Sequence, residues 1–187
     1  MRKQICLIGA TLLLALTLSP LSVFAASKAE IDRNSRAALT KLYEGNISAK
    51  LLAEKAKAVL IFPSILKMGF IIGGQGGDGA LIKDGVTVGY YNTFSGSYGL
   101  QAGIQEYGYA MFFMNDAALA YLKKSEGWEI GVGPSLVIVD KEAAAAFGKN
   151  MSTTTLKDDI YAFIFDQKGL MAGLGIQGSK ITKINPD

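Results

Sequence analysis

The chain has 187 residues with 19 basic and 16 acidic side chains, one cysteine and no histidine. Without an imidazole it cannot build a Ser-His-Asp or Cys-His catalytic unit, or a zinc site that contains histidine. These counts exclude most hydrolase mechanisms, and the length suits one globular domain of ordinary size.

The first segment of the chain has the pattern of a secretory signal peptide. Arg2 and Lys3 precede an apolar run from Ile5 to Leu18, and small residues at Val23 and Ala25 suit a cleavage site. The apolar run has 14 residues, whereas about 20 are needed to span a bilayer, so a retained anchor is the weaker alternative. We therefore predict a signal peptide over residues 1–25 and an exported protein, located in the periplasm or cell envelope or secreted.

Removal of this signal peptide would change the chemistry that the chain can offer. It would take away the single cysteine and two of the 19 basic residues. The mature chain would then have 17 basic and 16 acidic residues, so the net charge falls from +3 to about +1. The mature chain would have no thiol, and it could offer a metal only carboxylates and carbonyls. We expect no disulfide, no cofactor, no bound metal and no nucleic-acid partner.

Residues 26–57 carry the pattern of two amphipathic helices. Ser27 and Glu30 fit a capping box, apolar residues then recur at helical spacing, and Gly45 ends the segment. A second helix is predicted from about Ser48. This range contains seven basic and four acidic residues, so the net positive charge lies at the amino-terminal end of the mature chain.

From Ala58 onward the composition favours a β-sheet. Twelve of the 40 residues from Gly69 to Gly108 are glycine, and Asp84-Gly85 between two apolar runs is a strong hairpin signal. Pro63 is expected to end the first apolar run. Further strands are predicted over Tyr98–Gln105, Tyr109–Met114, Trp128–Val139, Ile160–Phe165, Leu170–Gln177 and Lys180–Ile184, with short helices after Asn115 and after Asp140.

Several predicted strands are apolar on both faces, so the sheet needs cover on both sides. The glycine pairs Gly131/Gly133 and Gly173/Gly175 would let the sheet curl sharply. We predict the α+β class: a strongly curved, mainly antiparallel β-sheet that could close partly into a barrel, with amino-terminal amphipathic helices and two short helices packed on it. Residues 26–187 would form one domain, with a helical segment over 26–57 and a glycine-rich β core over 58–187.

Gly74 to Gly79 match the G-x-G-x-x-G pattern of nucleotide-binding loops. A dinucleotide fingerprint must open a helix, but here a β-hairpin is predicted to follow. The other motifs of a protein kinase are absent from the sequence. We therefore interpret these glycines as a tight turn or a close backbone contact, with nucleotide binding as the weaker alternative.

The carboxylates and serines give no clear catalytic pattern. Asp158 and Asp159 are neighbours at the start of a predicted strand, so they should point to opposite faces. Asp78, Asp84 and Asp166 are expected in turns, where calcium binding stays open without any EF-hand spacing to support it. The serines lack both a histidine and a G-x-S-x-G elbow. We predict that the protein is not an enzyme.

Basic side chains accompany the apolar positions of the first predicted helix. Arg33, Arg36 and Lys41 suggest a segment that docks on a membrane surface or on a partner. The alternative is a helix whose apolar face packs on the domain while its charges are solvated. Aromatic residues could likewise anchor at a membrane interface or fill the β core; they are Trp128, Tyr90, Tyr91, Tyr98, Tyr107 and Tyr109.

Three segments of the chain resemble the SYLF domain family. They are AVLIFPSILKMGFIIGGQGGDG over residues 58–79, GLQAG over residues 99–103, and KGLMAGLGIQGS over residues 168–179. The family includes bacterial exported proteins, eukaryotic lipid-binding proteins and yeast actin-binding proteins of endocytosis. The segments follow the order expected for the family, and the resemblance as a whole covers most of the mature chain.

The resemblance implies a phospholipid-binding module, with phosphoinositides preferred in eukaryotic members and an amino-terminal amphipathic segment assisting membrane contact. We predict a non-enzymatic module that contacts anionic phospholipid, or a membrane surface, through its basic first helix. The candidate contacts are Lys28, Arg33, Arg36, Lys41 and Lys67. The alternative is a protein-interaction module that binds an envelope partner or host actin.

Overall fold

The computed structural model describes residues 26–124, 127–139, 156–169 and 179–187. Within these ranges it contains three helices and six strands: α1 Lys28–Gly45, α2 Ile47–Ala53, β1 Ala58–Lys83, β2 Val86–Phe113, α3 Asp116–Lys124, β3 Trp128–Glu129, β4 Leu136–Ile138, β5 Ile160–Gly169 and β6 Lys180–Ile184. None of these helices is both long and apolar enough to cross a membrane. The predicted signal peptide, the helix after Asp140 and the strand Leu170–Gln177 lie outside the described residues.

The six strands form one curled sheet. β2 lies at its centre and pairs with β1, β5 and β6, while β3 and β4 extend it beyond β6 and β5. Every pairing is antiparallel except that of β4 with β5. The predicted α+β class with a strongly curved, mainly antiparallel sheet is confirmed, and the sheet is a half-barrel.

The two amino-terminal helices begin at residues whose side chains cap them. The Oγ of Ser27 accepts a hydrogen bond from the Glu30 backbone N–H at 3.3 Å. Gly45 ends α1, and the Oδ1 of Asn46 accepts from the Ala49 N–H at 3.1 Å at the start of α2. Each side chain satisfies an amide that has no partner within its helix, so the predicted start and end of α1 are confirmed.

α1 packs its apolar side on the sheet. Ile31 and Leu42 are buried there, and the Lys28 N–H donates to the Asp187 carbonyl at 2.9 Å. The first turn of α1 is therefore fastened next to the end of β6. We call this end of the sheet, where α1 and α2 lie, the base.

β1 and β2 form one long ribbon around the predicted hairpin turn. Asp84 and Gly85 have φ values of 50° and 76°, the left-handed conformation that a two-residue hairpin turn needs. The strands are much longer than predicted. β1 continues through Pro63, because a register shift between Phe62 and Ile65 accommodates a residue with no N–H to donate. The predicted breaks in β2 are also wrong, since the strand is continuous from Val86 to Phe113 and its residues Gly89, Gly96 and Gly103 pair with β1.

The ribbon folds back on itself around Gly69 and Gly73. A Cβ on Gly69 would lie 2.8 Å from the Cα of Gly73, and a Cβ on Gly79 would collide with the carbonyl oxygen of Ile61. The two halves of β1 therefore touch through backbone atoms. Residues 74–79 form part of β1 and make this close contact. The prediction of a tight turn at these glycines is therefore wrong, and the alternative of a close backbone contact is confirmed.

Two apolar cores lie on opposite faces of the curled sheet. β5 contributes to both, with Ile160 and Ala162 in the inner core and Tyr161 and Phe163 in the outer core. α1 and α2 cover the outer core, whereas α3 packs into the inner one. This alternation confirms that the predicted strand from Ile160 is covered on both faces.

The predicted strand Trp128–Val139 is wrong in its middle part. The chain turns after β3, where Gly131 and Gly133 have φ values of 101° and 96°, a region that favours glycine. The Trp128 indole N–H donates to the Val132 carbonyl across this turn at 2.8 Å. The glycines therefore reverse the chain between two short strands, β3 and β4.

Asp159 links α3, β4 and β5. Its carboxylate accepts from the Asn115 amide at 2.6 Å, and from the Ser135 backbone N–H and hydroxyl at 2.9 and 3.0 Å. These hydrogen bonds, led by that from Asn115, hold the pKa of Asp159 below its usual value of 3.8. Asp159 therefore fastens the start of α3 to the sheet.

We expect Asp159 to contribute to acid sensitivity. Its pKa is lower in the folded than in the unfolded chain, so its stabilisation is present above the unfolded value and is lost as the pH falls through the folded value. Urea unfolding midpoints of Asp159→Ala and wild type should therefore differ at neutral pH and converge in acid. The control is Asp158→Ala, whose carboxylate accepts no hydrogen bond from the described residues. A constant difference at every pH would contradict the assignment.

Candidate functional site

Large apolar side chains are exposed where the ribbon bends. Phe70 and Ile72 are 75% and 71% exposed, and Phe94 and Ile104 are 63% and 61% exposed. We call the whole group the apolar tip; its members are Leu66, Met68, Phe70, Ile72, Phe94 and Ile104. Clustered exposure of this kind is typical of an interaction surface.

The apolar tip lies on the outer face of the ribbon, the face that α1 and α2 cover at the base. Near the start of β1, the outer-face residues Val59 and Ile61 are buried beneath the helices. Further along the same face, Met68 pairs with Ile104 across the two strands, and both side chains are exposed. The helices therefore end before the bend and leave this part of the outer face open.

Lysines flank the apolar tip on both neighbouring strands. Lys180 of β6 pairs with Phe94, and Lys168 of β5 pairs with Glu106. Both lysines are exposed, and the Lys168 ammonium lies 3.6 Å from an Asp166 carboxylate oxygen. The tip thus has an apolar centre with an exposed lysine on each side, and each lysine lies beside an acidic residue, Asp166 next to Lys168 and Glu129 opposite Lys180.

The predicted basic residues of α1 are exposed; Lys28, Arg33 and Arg36 lie towards the base, whereas Lys41 shares the Asp166 carboxylate with Lys168 of the tip. Arg36 donates to the Gly85 carbonyl at 3.0 Å, next to the hairpin turn at the opposite end of the ribbon from the bend. Lys41 pairs with Asp166 at 2.7 Å, and its hydrogen bond lowers the pKa of that carboxyl. Lys28 and Arg33 are also exposed, and the side chain of Arg33 makes no hydrogen bond or ion pair with any described residue.

The apolar face of α1 is not free to enter a membrane. Ile31 and Leu42 are buried in the outer core, and Leu39 and Tyr43 pack against it. Of the two predicted roles for this helix, the structure supports packing on the domain with solvated charges.

Lys67 lies on the inner face and is only 7% exposed. It pairs with the buried Gln105 in a polar cluster inside the bend. In this cluster the Tyr107 hydroxyl donates to Gln75 at 2.9 Å, and Gln75 donates to Ser179 at 3.1 Å. Burial raises the pKa of Tyr107 to about 12. Lys67 is therefore not placed at the protein surface.

The aromatic residues weighed as membrane anchors mainly fill the core. Trp128 is 1% exposed and lies edge-on to Phe113, with ring centroids 6.2 Å apart. Tyr91 and Tyr109 are likewise buried in the inner core. The exposed aromatic residues of the tip are Phe70 and Phe94, which sequence reasoning did not single out.

A separate cleft of about 540 Å³ lies between the end of α1 and strands β4 and β5. Its lining is mostly apolar, with Leu42, Phe163 and Phe165 among its walls, and Lys41 and Asp166 contribute the ion pair. Ile138 and Val139 also line it. Lys168 contacts the same Asp166 oxygen as Lys41, so the cleft adjoins one flank of the apolar tip.

The candidate calcium ligands lie apart from one another. Asp78 lies within β1, where its carboxylate accepts from the Asn92 amide at 2.7 Å, so its predicted place in a turn is wrong. Asp84 does lie in the hairpin turn, and Asp166 has a φ of 52° at a register irregularity in β5. Within the described ranges, no three potential metal-ligating side chains form a cluster.

The fold and its surface define a curled α+β half-barrel module with an uncovered apolar face between two lysines. Residues 94–186 match the family model of Ysc84, described as Las17-binding protein actin regulator. This part of the chain belongs to that family, which is the SYLF family that the sequence resembles, a family of actin-regulator and lipid-binding domains. No curated protein matches the chain.

The matched residues include two of the three segments that carry the resemblance, those at 99–103 and 168–179. The segment at 58–79 precedes the match. It forms most of β1, which pairs with β2 along nearly the whole ribbon, so it shares one sheet with the matched residues.

Proposed function

We propose that the protein is a non-enzymatic module, exported to the cell envelope, that binds anionic phospholipid. The observation that carries the proposal is the apolar tip, where Phe70 and Ile72 are exposed on the outer face of a fold whose two cores are otherwise well packed. A lipid surface would remove these side chains from water, and such burial is favourable in proportion to the area covered.

The charge around the tip supports a lipid whose headgroup is negative. Lys168 and Lys180 lie on the strands to either side of β2, where they could meet phosphate groups while the apolar residues meet acyl chains. Membership of a family that includes lipid-binding domains supports the same proposal. Anionic phospholipid is the proposed class of ligand, and phosphoinositides are one group within it.

Flotation with liposomes tests this proposal. The chain without its predicted signal peptide should rise through a density gradient with vesicles that contain phosphatidylglycerol, and less with vesicles of phosphatidylcholine alone. Added salt should weaken the anionic preference, because it screens the lysines. Protein that stays at the bottom with both kinds of vesicle would overturn the proposal.

The second candidate is a protein-interaction module, and the family description as an actin regulator that binds Las17 favours it. Such a module would bind an envelope partner or host actin. It predicts a stable complex without lipid, measured by co-sedimentation with actin filaments, and retention of that complex when Arg33 and Arg36 are neutralised. Co-sedimentation without flotation would support this candidate over the lipid one.

A further inference from the structure

We infer that the apolar tip is the part of the molecule that enters the bilayer, while the apolar face of α1 stays packed on the outer core. This inference rests on the proposed lipid-binding function and names the surface that performs it. It replaces the basic helix with the bend of the β1–β2 ribbon as the site of contact.

The shape of the bend fits insertion into a lipid surface. The ribbon turns sharply where Gly69 and Gly73 approach each other closely. Phe70 and Ile72 lie between these two glycines in the sequence and are the most exposed residues of the tip. Side chains on the outside of a bend project into their surroundings. A projecting apolar end suits a fluid bilayer, whereas an apolar protein segment is commonly bound in a groove.

Backbone pairing near the bend would lower the cost of entering a less polar medium. Gly69 pairs with Gly103, and Phe70 pairs with Ala102 on the neighbouring strand. Hydrogen bonding between the strands satisfies backbone groups that would be costly to bring into the apolar part of a membrane. The pairing reaches Phe70 and resumes at Ile72, which pairs with Tyr98 after a register shift, so most of the apolar side chains of the tip stand on paired backbone.

The charges at the tip set how deeply it would enter. Lys168 and Lys180 lie on opposite flanks of β2 and are exposed, so both ammonium groups could remain at the level of the phosphates. Glu106 is the acid nearest to Lys168 across the ladder, and it accepts the Ser64 hydroxyl at 2.7 Å. The tip enters a bilayer that contains anionic lipid, and only its side chains reach into the apolar part.

Most of α1 lies away from the apolar tip, although Lys41 near its end reaches Asp166 beside Lys168. Arg36 is bonded to Gly85 in the hairpin turn, and Gly85 lies at the far end of the ribbon from Phe70. The apolar residues that a membrane-bound helix would need, Ile31 and Leu42, are buried in the outer core. Insertion of the apolar face of α1 would therefore require that core to open.

Matched substitutions of exposed residues test the inference. Ile104→Ser changes the tip, whereas Val86→Ser changes a residue of the same strand that is equally exposed at 61% but lies at the base. We expect Ile104→Ser and Phe70→Ser each to reduce the partition into phosphatidylglycerol vesicles by about tenfold, and Val86→Ser to leave it unchanged. Arg33→Gln, on α1, should also leave it nearly unchanged.

A fluorescent probe gives an independent measurement. Trp128 is buried, so its emission should be nearly constant, and Phe70→Trp adds one exposed indole at the tip. Its emission should shift to shorter wavelength with vesicles and be quenched by lipids brominated on their acyl chains. Val86→Trp should show neither change.

These experiments separate failure of the inference from failure of the lipid proposal. If wild-type protein does not float, the lipid proposal and this inference both fail. If wild type floats but Ile104→Ser and Phe70→Ser float equally well, or Arg33→Gln abolishes flotation, lipid binding stands and the tip is not its site. If the tip variants change only the oligomeric state in gel filtration, the tip is instead an interface between copies of the chain.

Discussion

Replacement of Phe112 by alanine should destabilise the protein by about 4 kcal/mol, because it removes a large ring from the fully enclosed outer core. The Phe112 ring lies 5.4 Å from that of Phe163, nearly perpendicular to it, and 6.5 Å from Tyr43 of α1. The ring therefore connects the sheet to the helix above it. Urea unfolding followed by circular dichroism measures the loss.

Phe94→Ala is the matched control, since it makes the same chemical change on the same strand and face. Phe94 is exposed, so the free energy of unfolding of the Phe94→Ala protein should differ from that of wild type by no more than about 0.5 kcal/mol. Equal losses for the two variants would mean that the outer face at the bend is covered in solution. That result would contradict both the exposed tip and its proposed role.

Gly79→Ala should destabilise the protein by about 3 kcal/mol, the upper part of the range for an overpacked site. A Cβ at this position meets the Ile61 carbonyl oxygen and the Phe62 ring. Because the carbonyl belongs to the backbone of the other half of β1, the collision cannot be relieved by a side-chain rotation. Thermal unfolding should show the lowered stability.

Gly74→Ala is the control within the same glycine-rich segment. A Cβ there would meet the Ser95 carbonyl oxygen at 3.6 Å, an ordinary contact distance, so stability should change little. A phosphate-binding loop would instead need both glycines for its ligand. Loss of nucleotide affinity in Gly74→Ala, measured by calorimetry, would contradict our interpretation of the segment as a close strand contact.

The elements that sequence predicted well are those with local signals. Ser27 and Gly45 mark the two ends of α1 because capping depends on residues a few positions away. Asp84 and Gly85 mark the hairpin because both need a positive φ. The covered faces of β5 followed from its alternating apolar residues. None of these features depends on where distant parts of the chain lie.

The length of β1 and the place of Lys67 could not be read from local signals. The register shift at Pro63 changes which alternate residues face inward, so residues after it lie on faces that a simple count would not assign. Lys67 consequently enters a polar cluster inside the bend, although its charge suggests the surface. Its role as a lipid contact stays a prediction, and its burial places it behind the exposed residues.

The apolar tip was missed for a related reason. Met68 and Phe70 alternate along β1 exactly as core residues do, and Val59 and Ile61 in the same strand are core residues. Among the described residues, the lengths and positions of α1 and α2 decide which part of the outer face is covered. Such a decision depends on tertiary packing, so exposure at the bend has no separate signature in the sequence.

The bond between the Lys28 N–H and the Asp187 carbonyl has a practical consequence for rearranging the gene. The two ends of the described domain meet at the base, so a short linker could join them and new termini could be opened elsewhere. A circular permutant opened between Asp84 and Gly85 would keep every strand pairing of the sheet. Fluorescent labels at Lys28 and Asp187 would sit together, and both would be far from Phe70.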